Sequence, residues 1–101
     1  MKKIGDKTQA LRTLQDNKHI LVNRFGVTEI AIFGSCVRNE QRKRSDIDIL
    51  VSLKKTHKNF DNYMELKFFL SRIVGRKIDL VIKDSIREEL KPVIFSTAAY
   101  A

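Results

Sequence analysis

Two aspartates spaced to act together stand inside an apolar segment of the chain. Asp46 and Asp48 alternate with Ile47 and Ile49, and in a β-strand this spacing puts both carboxylates on one face, about 7 Å apart. Burying ionised carboxylates without partners is costly. The spacing suits carboxylates that converge on a pair of metal ions, which lie about 3.5–4 Å apart in two-metal sites. The pattern therefore predicts a metal site.

A third aspartate, Asp79, has the same kind of position in a later apolar segment. Ile78 and Leu80 flank it, so its side chain faces away from the core side of the strand. If that strand lies beside the strand of Asp46 and Asp48, the three carboxylates meet at one point. Oxygen ligands with no His or Cys nearby favour Mg²⁺ or Mn²⁺ over zinc.

A short turn between two apolar segments supplies a complementary group. Gly34 lets the backbone approach a ligand closely, Ser35 adds a hydroxyl donor, and Arg38 follows one helical turn later. Backbone N–H groups at the start of a helical turn bind anions. One side of the predicted site therefore binds phosphate and the other binds metal, which is the arrangement needed for phosphoryl or nucleotidyl transfer.

The hydrophobic period alternates between helical and strand values along the chain. The patterns predict helices over residues 8–25 and 60–74 and strands over 30–33, 46–53 and 77–82. We expect an α/β domain of the α+β type, with one short mixed sheet and helices mainly on one of its faces.

The last part of the chain has helix-start signals. Residues 85–88 fit a capping box, and Pro92 predicts that a helix restarts or kinks there. The apolar stretch that follows is expected to pack against the core. In the helix over 60–74, we expect one ring of the Phe68–Phe69 pair to be buried and the other exposed.

Composition limits the class of protein. The chain has 101 residues, a net charge of +8, 43% hydrophobic residues and one cysteine, which is typical of a single folded domain in a reducing cytoplasm. No apolar run reaches the length of a membrane span. The positive charge favours anionic partners, among them nucleotide phosphates, nucleic acid or an acidic protein, although a basic solvated surface explains it equally well.

The motifs together resemble a known family. Gly34-Ser35, ten residues and then Asp46-Ile47-Asp48 form the Gly-Ser-x10-Asp-x-Asp signature of the minimal nucleotidyltransferases in the polymerase-beta-like superfamily. The resemblance implies a polymerase-beta-like fold over residues 1–101 as one domain, and transfer of AMP from ATP to a hydroxyl group. Where the family often has Gly after the arginine, Asn39 stands here.

The resemblance also implies a role for each matching residue. Asp46 and Asp48 would bind two Mg²⁺ ions, with Mn²⁺ as an alternative, and Asp79 would bind one of them and help to deprotonate the acceptor hydroxyl. The triphosphate would be held by Gly34 and Ser35, while Ser45 would support the entry to the Asp46 strand. Many relatives are similar to antitoxins that adenylylate a HEPN-type ribonuclease toxin, so such a toxin is the expected partner.

Other interpretations remain open at this stage. A catalytically idle member would neutralise its partner by binding nucleotide and protein alone, and another member would modify a small-molecule hydroxyl such as that of an antibiotic. A nucleic-acid binder is the least favoured, because an aromatic content of 8% without Trp offers little surface for base stacking. The chain could also form an oligomer.

Overall fold

The computed structural model describes residues 7–33 and 47–101. Its helices and strands follow one another in the order α1 (Lys7–Asp16), α2 (Lys18–Phe25), β1 (Val27–Phe33), β2 (Ile47–Leu53), α3 (Phe60–Val74), β3 (Ile78–Ile82), α4 (Lys91–Thr97) and β4 (Ala99–Tyr100). Short 3₁₀ turns lie between β2 and α3 and between β3 and α4.

The strands form one mixed sheet in the order β3-β2-β1-β4. β1 runs antiparallel to both β2 and β4, whereas β2 and β3 are parallel. Parallel neighbours need a crossover connection, and α3 supplies it. This architecture confirms the predicted α/β fold with a short mixed sheet.

Helix α3 has a capping residue at each end, Asn59 and Gly75. The side-chain oxygen of Asn59 accepts a hydrogen bond from the Asn62 N–H at 2.8 Å, which satisfies one of the unpaired donors of the first turn. The helix ends at Gly75, whose φ of 76° is left-handed and suits glycine. The predicted bounds of this helix coincide with those of the structure.

The larger core lies on one face of the sheet, under α1, α2 and α3. Alternate residues of β2 point into it, as the pattern predicts, and Leu21, Leu66 and Leu70 of the helices are fully buried against them. A smaller cluster on the opposite face joins Ala31, Leu50 and Ile86 to side chains of α4. Helices therefore cover mainly one face, and the shorter α4 covers part of the other.

The prediction of one helix over residues 8–25 is wrong, because the helix is broken at Asn17. The Asn17 side-chain amide donates to the Thr13 carbonyl at 2.9 Å, and the residue's ψ of 12° departs from helical geometry. Asn competes for backbone partners in this way and so favours breaks over helix interiors.

The capping box predicted over residues 85–88 is also wrong. The Ser85 hydroxyl donates backwards to the Ile82 carbonyl at 2.8 Å, and α4 begins only at Lys91. Pro92 lies in the first turn of α4, where its missing N–H is not needed. The predicted helix restart at Pro92 is therefore confirmed.

Candidate active site

Asp48 stands near the start of β2, in the interior of the sheet. It is half-buried, between Ile47 and Ile49, whose side chains are fully buried in the larger core. A register slip of one residue would drive the carboxylate into that core, so the apolar neighbours fix the face on which it lies. Phe33, the last residue of β1, is its partner on the other side.

Asp79 is the register partner of Asp48 on β3. Adjacent strands lie about 4.8 Å apart, and paired residues point to the same face, so the two carboxylates are neighbours on the face opposite the larger core. The sequence argument made this adjacency a condition for bringing the carboxylates together, and the structure meets it for Asp48 and Asp79. Asp79 is exposed, which leaves one member of the pair open to an incoming group.

The remaining predicted site residues lie outside the described residues: Gly34, Ser35, Arg38, Ser45 and Asp46. The sequence places Gly34 directly after Phe33 and Asp46 directly before Ile47. Across the two described ranges, no cluster of three His, Cys, Asp or Glu side chains could hold a metal ion. Of the three predicted carboxylates, the structure describes Asp48 and Asp79.

The paired carboxylates fit a divalent cation. Two like charges on adjacent strands repel each other, and a cation between them removes that repulsion. Carboxylate oxygens are the ligands that Mg²⁺ and Mn²⁺ prefer. Asp48 and Asp79 are therefore the described residues that would hold such an ion.

Tyr63 is a residue near the site that sequence reasoning did not single out. Its hydroxyl, which is carried by α3, donates to the carbonyl oxygen of Leu80 at 2.6 Å, one residue beyond Asp79. Burial, together with the negative charge of Asp79, raises the pKa of the Tyr63 phenol, so the hydroxyl stays protonated as a donor. The sequence feature that could have indicated Tyr63 is a tyrosine, an aromatic residue with a polar hydroxyl, on the apolar face of a predicted helix.

On the sheet face that carries Asp48 and Asp79, Lys83 contacts β1, α4 and β4. Its amine donates to the Glu29 carboxylate at 2.7 Å and lies over the rings of Phe95 and Tyr100, 5.2 and 5.7 Å from their centroids. The hydrogen bond to Glu29 raises the pKa of Lys83. These contacts hold α4 against the face that carries the carboxylates and link Lys83 to β4, the strand at the edge of the sheet.

A pocket of about 300 Å³ lies at the other end of β2 and β3, where its lining includes Leu53, Phe60 and Ile82. Its walls are mainly apolar, and Asp48 and Asp79 do not line it. Tyr63, whose hydroxyl donates to the Leu80 carbonyl, forms part of its wall. None of the helices in the described parts of the chain is long and apolar enough to cross a lipid bilayer.

A short mixed sheet with paired acidic residues at the start of adjacent strands is the arrangement expected of a nucleotidyl-transferring domain. The sequence profile of the nucleotidyltransferase domain family matches residues 14–100. The chain belongs to this family and is a nucleotidyltransferase, as the resemblance to the minimal nucleotidyltransferases implies.

Named relatives share much of the sequence. Protein adenylyltransferase MntA of Thermococcus cleftensis is 34% identical over 98 residues, which is 90% of this chain and 98% of that protein. A proposed protein adenylyltransferase of Methanocaldococcus jannaschii, MJ0128, is 47% identical over 74 residues, covering 73% of this chain and 74% of the relative.

Solved structures share the fold at lower identity. A proposed minimal nucleotidyltransferase superposes with a TM-score of 0.77 at 24% identity, covering 97% of this chain and 95% of the other. A toxin–antitoxin structure with AMP-PNP gives a TM-score of 0.66 at 24% identity, with 93% and 70% covered. A complex of a tri-AMPylated Shewanella oneidensis HEPN toxin with an MNT antitoxin gives 0.57 at 22% identity, with 93% and 66% covered.

Proposed function

We propose that this protein is a metal-dependent adenylyltransferase that transfers AMP from ATP to a hydroxyl group of a partner protein. The observation that carries the proposal is the register pairing of Asp48 with Asp79 on adjacent strands. The relatives named protein adenylyltransferases support a protein acceptor, and the related toxin–antitoxin complexes support a HEPN-type toxin as that acceptor. On this proposal the chain is a single-domain antitoxin that acts in the cytoplasm.

The proposed roles divide the site into a metal side and a phosphate side. Asp46, Asp48 and Asp79 would hold two Mg²⁺ ions, or Mn²⁺ in their place, which supply neutralisation of the negative charge on the triphosphate when bound. Gly34, Ser35 and Arg38 would bind the triphosphate, and Ser45 would support the start of the Asp46 strand. Catalysis of this kind depends mainly on positioning and charge neutralisation.

The exposure of Asp79 suits the proton transfer that the reaction needs. The acceptor hydroxyl oxygen forms a bond to the α-phosphorus of ATP, and the bond from that phosphorus to the bridging oxygen breaks, releasing pyrophosphate. The hydroxyl proton passes to a carboxylate oxygen of Asp79, which is accessible to an acceptor from outside. Asp48 is half-buried in the sheet interior and is less accessible to the acceptor than Asp79 is.

The test is transfer of labelled AMP to a HEPN-type partner in the presence of Mg²⁺. We expect Asp48→Asn and Asp79→Asn each to lower the rate by about 100-fold or more, the scale on which removing a charge-stabilising group lowers turnover. Asp84→Asn is the matched control, because Asp84 is exposed and pairs with Lys58. Chelation by EDTA should abolish transfer, and added Mg²⁺ or Mn²⁺ should restore it.

Two results would contradict the proposal. Wild-type rates in both variants would remove the carboxylates from catalysis. Neutralisation of the partner by a chain that carries both Asn substitutions would show that binding alone, without AMP transfer, silences the partner.

A further inference from the structure

Strand β3 lies at an edge of the sheet, with β2 as its neighbour on one side. The Ile47 N–H donates to the Lys77 carbonyl at 3.0 Å, which fixes how the backbone groups alternate. In a parallel ladder every second residue turns its N–H and C=O to the same neighbour. Lys77 and Asp79 therefore face β2, whereas the carbonyl of Leu80 faces the outer edge.

Tyr63 satisfies that outward carbonyl. Its hydroxyl donates to the Leu80 oxygen at 2.6 Å, a short and well-made hydrogen bond. Leu80 is only 4% exposed, so without the phenol its carbonyl would have little access to water. A buried polar group without a partner is costly, and the bond therefore ties the edge of β3 to α3.

The hydrogen bond from Tyr63 is made next to Asp79, the proposed catalytic carboxylate. Leu80 is covalently next to Asp79, and the charge of Asp79 acts on the Tyr63 phenol strongly enough to contribute to its raised pKa. Asp79 has β2 on one side, where its register partner Asp48 lies, and the bond made by Tyr63 on the other. Its Cα is thus held from both edges of the strand.

We propose that Tyr63 is a positioning residue for the metal site, acting through the Leu80 carbonyl to fix the separation of the Asp79 and Asp48 carboxylates. This inference rests on the proposed function, because it takes those carboxylates to be metal ligands. Removing a group that orients a metal ligand by hydrogen bonding typically weakens metal affinity by about 10- to 100-fold.

The test is titration of the 101-residue chain with Mn²⁺ alone, in which free Mn²⁺ is followed by electron paramagnetic resonance. We expect Tyr63→Phe to weaken Mn²⁺ binding by about 10-fold or more. Tyr100→Phe is the matched control: the chain has two tyrosines, and the second lies on β4 at the opposite edge of the sheet. The Tyr100→Phe variant also loses a phenol oxygen, and it should bind Mn²⁺ with wild-type affinity.

A second control separates positioning from general loss of stability. The Asn62 amide, one residue earlier on α3, donates to the Phe25 and His57 carbonyls at 3.0 Å each, so Asn62→Ala weakens the fold without removing the bond to β3. Asn62→Ala should bind Mn²⁺ as the wild type does. If Tyr63→Phe is partly unfolded, trimethylamine N-oxide restores its stability and the titration is made in that osmolyte.

The outcomes distinguish this inference from the proposed function. If Mn²⁺ binds the wild type and binding is lost in Asp79→Asn, but Tyr63→Phe equals the wild type or merely matches Asn62→Ala, the positioning role of Tyr63 is refuted and the metal site stands. If the wild type binds no Mn²⁺, or Asp48→Asn and Asp79→Asn both bind it normally, the metal site itself is refuted, and the inference with it.

Discussion

The junction between α2 and β1 depends on a glycine that has no room for a side chain. Gly26 has a left-handed φ of 70°, and a Cβ added there would overlap the ring Cγ of His57 and lie 2.7 Å from the His57 Cβ. Gly75, at the end of α3, has a similar φ of 76°, but a Cβ there would meet nothing within 4 Å. An L-residue at either position would therefore be strained by the left-handed backbone, and only at Gly26 would its Cβ also clash.

The difference between the two positions gives the expected magnitudes. Gly75→Ala should lower the free energy of unfolding by about 1–2 kcal/mol, the cost of a left-handed L-residue. Gly26→Ala carries the same cost and about 1–3 kcal/mol more for overpacking against His57. In a domain of this size each kcal/mol lowers Tm by about 4–8 °C, so Gly26→Ala should melt at least about 4 °C below Gly75→Ala.

The assay is thermal and urea unfolding followed by circular dichroism, with His57→Ala as the second arm. That substitution removes the ring and leaves the His57 Cβ, so in the Gly26→Ala background it should recover part of the lost free energy of unfolding. Equal losses in Gly26→Ala and Gly75→Ala, or simple addition of the Gly26→Ala and His57→Ala losses, would refute the clash as the cause.

Three further predictions concern the packing and charge of the fold. Phe69→Ala should cost about 2–3 kcal/mol in urea unfolding, less than a fully buried ring, because the partly buried Phe69 ring packs 5.3 Å from the buried ring of Phe25. Phe68→Ser, at a side chain 65% exposed, should stay within about 0.5 kcal/mol of the wild type. Asn62→Ala should cost about 1–3 kcal/mol by leaving two backbone carbonyls without their donor, and equal stability to the wild type would contradict this. The hydrogen bond from Lys83 lowers the pKa of Glu29 below its usual 4.5. A carboxyl group whose pKa is lower in the folded state than in the unfolded state stabilises the fold at pH values above its unfolded-state pKa. That stabilisation is lost as the pH falls through the folded-state pKa. Since Glu29 is half exposed, Glu29→Gln should be at most about 1 kcal/mol less stable than the wild type at neutral pH. This difference in the free energy of unfolding should disappear as the pH falls below 4.5. A difference that persists in acid would contradict the ion pair as its source.

The elements that bear the two described carboxylates are predictable because their patterns are strong. A period of two places Asp48 and Asp79 opposite apolar neighbours, and burial of Ile47 and Ile78 allows only one face for each strand. The adjacency of the two strands was a condition in the sequence argument, since no local pattern specifies which strands pair. The structure supplies that condition through the crossover made by α3.

The features that sequence reasoning missed depend on contacts that local patterns do not reveal. The helix break at Asn17 comes from a single side-chain hydrogen bond that competes with a good helical period. The capping box fails because the Ser85 hydroxyl finds a backbone partner behind it. Strand β4 is two residues long and exists because Ala99 and Tyr100 pair with β1, a long-range contact that no periodicity over two residues could indicate.

The parallel pairing of β2 and β3 has a consequence for when the protein becomes competent during synthesis. On the proposed function, the strands of Asp48 and Asp79 pair only after α3 has folded back across the sheet, so a nascent chain that still lacks β3 would present Asp46 and Asp48 without the third proposed ligand, Asp79. Long-range parallel pairing also forms slowly, because a long loop must close before any contact rewards it. The proposed metal site should thus be completed in one late step, when β3 pairs with β2, and a ribosome-bound fragment that ends before Ile78 should bind Mn²⁺ more weakly than the 101-residue chain.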